Sequence, residues 1–199
     1  GGMGSSVMTR EATASTAKFE LNEGVAVITD DDRFVQPGSG EMGKVATSAF
    51  VPLGYYKDPQ KSAATFREVG GVRYSFPGDY ATVEADGSIT LLGRGSVCIN
   101  TGGEKVFPEE VEEAVKRHEL VEDCLVVGLP DERFGERVVA VTSLIDGASA
   151  SPDDVMAFTA DHLAGYKLPR QVLMVDLVRR APNGKADYKW AKTFAKQNQ

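Results

Sequence analysis

Residues 78–112 read GDYATVEADGSITLLGRGSVCINTGGEKVFPEEVE. Within them, residues 80–84 and 88–92 are β-prone runs on either side of Ala85-Asp86-Gly87. Asp-Gly supplies the positive φ values of a tight turn, so the stretch opens as a hairpin with Asp79 at its start and Arg94 at its end. Gly95-Ser96 then forms a joint without large side chains, and Gly102-Gly103-Glu104 a second turn. From residue 108 the pattern becomes helical: Pro108 sits in the first turn, Glu109, Glu110, Glu112 and Glu113 lie near the start, and Lys116 and Arg117 lie near the end. That charge order complements the helix dipole, and Val111, Ala114 and Val115 make an apolar stripe at helical spacing. A β-rich half thus meets a mixed half at Gly95.

Outward from this seam the two halves keep their character. Residues 24–29 (GVAVIT) and 44–50 (KVATSAF) read as short strands, and residues 58–66 (DPQKSAATF) as a short helix behind Pro59. On the other side, residues 124–129, 137–144 and 172–178 read as strands. A helix opens at Ser151-Pro152-Asp153-Asp154, where Ser151 can cap and Asp154 can complete the capping box. A final, mostly polar helix starts at Asp187. The expected fold class is α+β, with a β-rich part over residues 1–94, a hinge at 95–96, and a small α+β domain over residues 97–199 built on a three-stranded sheet with helices.

Composition narrows the function. The chain has 199 residues and a formal net charge of −7, which argues against a general nucleic-acid binder but leaves room for a small anionic ligand held by a few local cations. Cys98 and Cys124 stand far apart outside any C-x-x-C pattern, and His118 and His162 are the only histidines; no metal site and no disulfide framework are expected. A reduced, cytoplasmic setting is the default. No apolar run approaches the roughly 20 residues that span a bilayer, although peripheral membrane contact stays open. The opening GGMGSSVMT lacks an initial methionine and reads as a piece of something longer.

Taken singly, the candidate site residues decide nothing. Gly38-Ser39-Gly40-Glu41-Met42-Gly43 matches the dinucleotide fingerprint G-x-G-x-x-G, but Pro37 precedes it and a strand-like run follows it. The fingerprint needs a strand before and a helix after, so a turn leading into a strand is expected instead. Asp79 could accept two hydrogen bonds from adjacent ribose hydroxyls, or merely cap a turn. Arg94 could hold ribose, phosphate or carboxylate oxygens, and read alone is a solvated arginine or a surface ion pair. Gly102-Gly103 permits close backbone approach to a ligand, or is a plain turn. Pro182-Asn183-Gly184-Lys185 pushes an ammonium group out on a tight turn, where one aimed charge could act on a phosphoryl group. Tyr166-Lys167-Leu168-Pro169-Arg170 adds a basic loop.

Order and spacing carry more. Gly78-Asp79, Gly93-Arg94, Gly102-Gly103-Glu104 with Pro108-Glu109-Glu110-Val111-Glu112, Tyr166-Lys167-Leu168-Pro169 and Pro182-Asn183-Gly184-Lys185 together resemble the C-terminal motifs of the acyl-adenylate-forming enzymes. Gly54-Tyr55-Tyr56-Lys57-Asp58-Pro59 resembles the segment just upstream in that family, and GGEKVFPEEVE is most similar to bacterial fatty-acyl-CoA synthetases. The resemblance implies a C-terminal portion of such a synthetase: the end of the large adenylating domain plus a mobile C-terminal AMP-binding-enzyme domain. ATP and a fatty acid would give an acyl-adenylate and pyrophosphate, and coenzyme A would then take the acyl group. Asp79 and Arg94 would bind the nucleotide, and Lys185 would be catalytic in the first step. Rotation about Gly95-Ser96 would present Gly102, Gly103 and Glu104 to coenzyme A. Mg2+ would accompany ATP, with its ligands outside this chain, and the chain alone would be inactive. Many members carry Asp or Lys at the hinge, whereas this sequence has Ser96. Two other readings are a domain that loads a carrier protein and a non-catalytic nucleotide-binding or interaction module.

Overall fold

A computed structural model of the chain describes residues 18–20 and 22–198. Contacts divide it into two compact units, one ending at Ser96 and the other beginning at Val97. The opening GGMGSSVMT lies outside the described residues.

The first unit runs β1 (Lys18–Phe19), β2 (Val25–Ile28), β3 (Met42–Thr47), α1 (Pro59–Thr65), β4 (Phe66–Val69), β5 (Val72–Ser75), β6 (Asp79–Val83) and β7 (Ile89–Arg94). These seven strands form one sheet in the order β1-β7-β6-β3-β5-β4, with β2 also paired to β3. The expected strands appear as β2 and β3, and the expected hairpin as β6 and β7. The short helix is α1, capped by the Asp58 side chain, which accepts from the Lys61 N–H. The β4–β5 hairpin was not expected. The adjacent Arg67-Glu68 breaks the apolar alternation of β4, and the Gly70-Gly71 turn lacks the Asp or Asn that marks such turns most clearly.

Gly43 explains the accidental fingerprint. It lies inside β3, where a Cβ would stand 2.8 Å from the Ile28 carbonyl oxygen and 2.8 Å from Val35 Cγ2. This glycine is therefore needed for close packing of strands, not for a phosphate. Gly43→Ala is expected to destabilise the first unit by about 1–3 kcal/mol. A lower urea midpoint by circular dichroism would show it; an unchanged midpoint would mean that the strands can part without cost.

The second unit continues with β8 (Ile99–Thr101), β9 (Glu104–Val106), α2 (Pro108–Lys116), β10 (Val121–Asp131), β11 (Gly135–Leu144), α3 (Pro152–Ala160), β12 (Gln171–Met174) and α4 (Tyr188–Gln197). The class is α+β, as expected, but the sheet has five strands among the described residues rather than the expected three. The additional pair, β8 and β9, has three residues per strand (INT and EKV), too few and too polar to register as an alternating pattern.

The long β10–β11 hairpin is covered on both faces, which is why its strands read as continuous apolar runs. Successive side chains alternate between faces. Cys124 and Val126 join Val111, Val115, Val138, Ala140 and Val155 in one core, on the α2 and α3 side. Leu125, Val127 and Leu129 join Val139, Val141, Ala191 and Ala195 in the other, under α4. The capping box of α3 forms as expected: the Asp154 N–H donates to Ser151 Oγ and the Ser151 N–H to Asp154 Oδ2. Helix α4 is less polar than its sequence reads, because the face it buries is made of small alanines.

Candidate functional site

In the first unit, β6 and β7 pair in a register that sets Asp79 directly opposite Arg94. Arg94 Nε lies 3.1 Å from Asp79 Oδ1, and the two side chains are 63% and 29% exposed. Both candidate nucleotide residues therefore sit together at the open end of one hairpin, held to each other by a surface ion pair. An exposed pair of this kind contributes only about 0–1 kcal/mol, so it can open for a ligand at little cost.

Gly95 follows without a break. Its N–H donates to the Gly78 carbonyl at 3.0 Å, and a Cβ on it would stand 2.7 Å from the Tyr80 ring. Gly95 is thus small because an aromatic ring lies against it, and it is tied back to the strand that carries Asp79. Ser96 is exposed and lies within the 3-10 turn Gly95–Val97.

In the second unit, Gly102 and Gly103 form the two-residue turn between β8 and β9, with φ of +60° and +90°. Two consecutive positive φ values are what such a hairpin turn requires. The Gly102 N–H donates to the Phe134 carbonyl at 2.8 Å, which brings the glycine turn against the β10–β11 turn. There Asp131 Oδ1 accepts from the N–H groups of Arg133 and Phe134. The guanidinium carbons of Arg133 and Arg170 stand 5.0 and 5.4 Å from the centre of the Phe134 ring. Glu104 begins β9 and is exposed. The sequence reading missed Phe134 and its two cations. Their signal was the Asp131-Glu132-Arg133-Phe134-Gly135 turn, passed over as a connection between strands.

Lys185 ends a turn closed at both levels: the Gly184 N–H donates to the Ala181 carbonyl at 2.8 Å and the Ala181 N–H to the Lys185 carbonyl at 2.9 Å. Gly184 has a φ of +78°, and Asn183 Oδ1 accepts from the Lys185 N–H. The Lys185 side chain is exposed and makes no ion pair among the described residues. Lys167, by contrast, is committed: its ammonium pairs with Glu110 Oε1 at 2.5 Å, with both side chains largely covered. The basic loop is in this respect an internal brace between the 3-10 turn Gly165–Lys167 and α2.

Glu112 is a second residue that sequence reasoning misread. It looked like one more acid at a helix start, yet it is buried. Its Oε1 accepts from the Val126 N–H at 2.9 Å and its Oε2 from the Tyr188 hydroxyl at 3.4 Å. Burial pushes its carboxyl up to about 7, against the hydrogen bond from Val126. The clue was spacing: Pro108, Val111, Glu112 and Val115 share one face of α2, and that face is the buried one.

Among the described residues no three His, Cys, Asp or Glu side chains converge as a metal-binding set.

Residues 110–185, which include the Glu110 brace, Glu112 and the Lys185 turn, match the AMP-binding enzyme C-terminal domain family. Residues 110–185 carry the pattern of an AMP-binding enzyme C-terminal domain. Over 173 residues it is 58% identical to 3-oxocholest-4-en-26-oate–CoA ligase of Rhodococcus rhodochrous, covering 87% of this chain and 31% of that protein. It is 50% identical to a medium/long-chain-fatty-acid–CoA/3-oxocholest-4-en-26-oate–CoA ligase of Mycolicibacterium smegmatis, over 90% of this chain and 33% of the relative. Among solved structures, the ATP-bound RpMatB-BxBclM chimera superposes with a TM-score of 0.77 at 26% identity, over 90% of this chain and 35% of that one. The chain therefore spans about a third of the length of these relatives. The likeness extends well beyond the AMP-binding C-terminal domain into the β-rich unit.

Proposed function

We propose that this chain works as the C-terminal part of an ATP-dependent acyl-CoA ligase whose acids are fatty acids or steroid side-chain carboxylic acids. In the first step a carboxylate oxygen attacks the α-phosphorus of ATP, the α–β phosphoanhydride bond breaks, and pyrophosphate leaves. In the second, the sulfur of coenzyme A attacks the acyl carbon of the adenylate and AMP leaves. The observation that carries the reading is that every residue the reaction asks of this chain is kept on an exposed hairpin end or turn.

Asp79 exchanges its partner Arg94 for the two ribose hydroxyls, from which one carboxylate can accept two hydrogen bonds together, and the Arg94 guanidinium holds nucleotide oxygens. Lys185 offsets the negative charge that builds on the α-phosphoryl group. The Gly102-Gly103 turn, with Glu104 at its edge, lies along the path of coenzyme A. Its neighbour Phe134, with the guanidinium groups of Arg133 and Arg170 over its ring, offers an aromatic and cationic surface for the adenine base and the phosphates. Rotation about Ser96 separates the two steps, with Gly95 staying with its strand. A cytoplasmic setting, where ATP and coenzyme A are supplied, fits this chemistry, and no helix among the described residues is long and apolar enough to cross a membrane.

The test is acid-dependent ATP–pyrophosphate exchange by the full-length protein, with fatty acids of increasing length and a steroid side-chain acid. Exchange with at least one of these, followed by thioester formation on coenzyme A, is expected. Exchange with none would overturn the reading. Phe134→Ala should raise the KM for coenzyme A about tenfold, the scale of one lost base–aromatic stack, and leave the exchange rate unchanged. An unaltered KM would remove Phe134 from the coenzyme A face.

A further inference from the structure

The turn that carries Lys185 is anchored at both flanks, and one anchor has no part in any step described above. Arg180, at the start of the turn, aims its guanidinium at Asp123 on β10: Nε to Oδ2 and Nη2 to Oδ1, each 2.7 Å. This is the two-pronged arrangement in which a planar guanidinium matches a carboxylate and fixes orientation as well as distance. The remaining nitrogen, Nη1, donates to the Gly184 carbonyl at 3.4 Å, one residue before Lys185. Arg180 also bridges Ala186 in antiparallel register across the turn. Asp123 is covered to a side-chain exposure of 19% and accepts from the Cys124 N–H as well, so the acceptor is itself held still by the strand. On the far flank, Tyr188 is fastened to Glu112.

We propose that Arg180, seated on Asp123, is a positioning residue for Lys185: it fixes the turn to β10 so that the ammonium group is delivered to one place. The inference rests on the adenylation role given to Lys185 above. The pair is two-pronged and partly covered, so it also contributes to stability, and an effect confined to one half-reaction is what separates positioning from a structural role. What Arg180 supplies is direction, since it spans from a strand of the core to the carbonyl beside the lysine. Lysine cannot replace it, because an ammonium lacks the fork that holds Asp123 and Gly184 together.

The experiment compares Arg180→Ala, Arg180→Lys, Asp123→Asn and the Arg180→Ala/Asp123→Asn double variant in the full-length protein. ATP–pyrophosphate exchange reports the first step, single-turnover thioester formation from preformed acyl-adenylate reports the second, and trypsin cleavage after Lys185 reports the turn itself. Misplacing a catalytic group by about 1 Å costs on the order of 10²-fold, so each single variant should lower the exchange rate by about 10- to 100-fold. The KM for ATP and the thioester step should stay within about twofold, cleavage after Lys185 should quicken, and the double variant should be no worse than the worse single one. Exchange at the wild-type rate in Arg180→Ala, while Lys185→Ala abolishes it, would overturn the positioning role alone. Equal losses in both half-reactions would also overturn it, as the mark of a merely structural residue. A quickened cleavage in Arg180→Ala together with full exchange in Lys185→Ala would overturn the role of Lys185, and with it the purpose assigned to Arg180.

Discussion

Lys185→Ala in the full-length protein is expected to lower acid-dependent ATP–pyrophosphate exchange by about 10²- to 10³-fold, the usual loss when one pre-aimed donor of charge is removed. The residue stands at the end of a turn closed by two backbone hydrogen bonds, so its ammonium group needs little reorganisation before it acts. It makes no ion pair among the described residues, so no internal partner must be given up when the α-phosphoryl group arrives. Lys167, another lysine in the family-like motifs, is paired with Glu110 and is unsuited to the task. Lys185→Arg should recover only part of the rate, because a broad planar guanidinium does not place its charge where a compact ammonium does. Stopped assays of exchange at saturating ATP would measure both variants. Exchange in Lys185→Ala within about threefold of wild type would remove Lys185 from the chemistry.

The second large effect is on stability and depends on pH. The Glu112 carboxyl is held at about 7 in the folded chain, against an ordinary value of 4.5, with burial as the leading cause. Between those two values the folded state keeps a proton that the unfolded state has released. Stability contributed at this site is therefore full below about pH 4.5, falls as pH rises through the window, and is lost above about pH 7. The difference corresponds to about 3 kcal/mol for the second unit. Glu112→Gln keeps the shape, an oxygen for the Val126 N–H, and an amide group facing the Tyr188 hydroxyl, but it cannot ionise. The variant should match wild type near pH 4.5 and exceed it by up to about that amount at pH 8. Fluorescence of Trp190, the single tryptophan and a residue of α4 packed against the core under that helix, follows the unfolding of the second unit. Parallel pH profiles for the two proteins would show that the buried carboxyl is not the source of the dependence.

Much of this could be read before any coordinates, for reasons that particular residues make plain. Asp86-Gly87 and the Pro108 helix start are local signals, satisfied by a few neighbouring atoms, and both elements lie where expected. The run from Cys124 to Leu129 announced a strand because both of its faces are covered. What stayed hidden depends on contacts distant in sequence. Strands β8 and β9 are too short for a pattern and exist because β11 lies alongside β8. Glu112 is buried because Val126 and Tyr188 come to it, and no local rule names that tyrosine. The site divides in the same way. Asp79, Arg94, Gly102, Gly103 and Lys185 stood out through their order along the chain. Phe134 with Arg133 and Arg170, and Arg180 with Asp123, emerged only when the β10–β11 hairpin brought them beside the glycine and lysine turns.

In the proposed function, two different turns of this chain serve the two half-reactions. The most direct measurement follows both half-reactions, by rapid quench, in Lys185→Ala and in Gly103→Val of the full-length protein. Gly103 has a φ of +90° and open space around it, so valine there strains the turn locally and places bulk on the face assigned to coenzyme A. A crossed result is expected. Lys185→Ala loses adenylate formation yet converts preformed acyl-adenylate to thioester at the wild-type rate, and Gly103→Val does the reverse. Loss of both half-reactions together in each variant, or of neither, would contradict it.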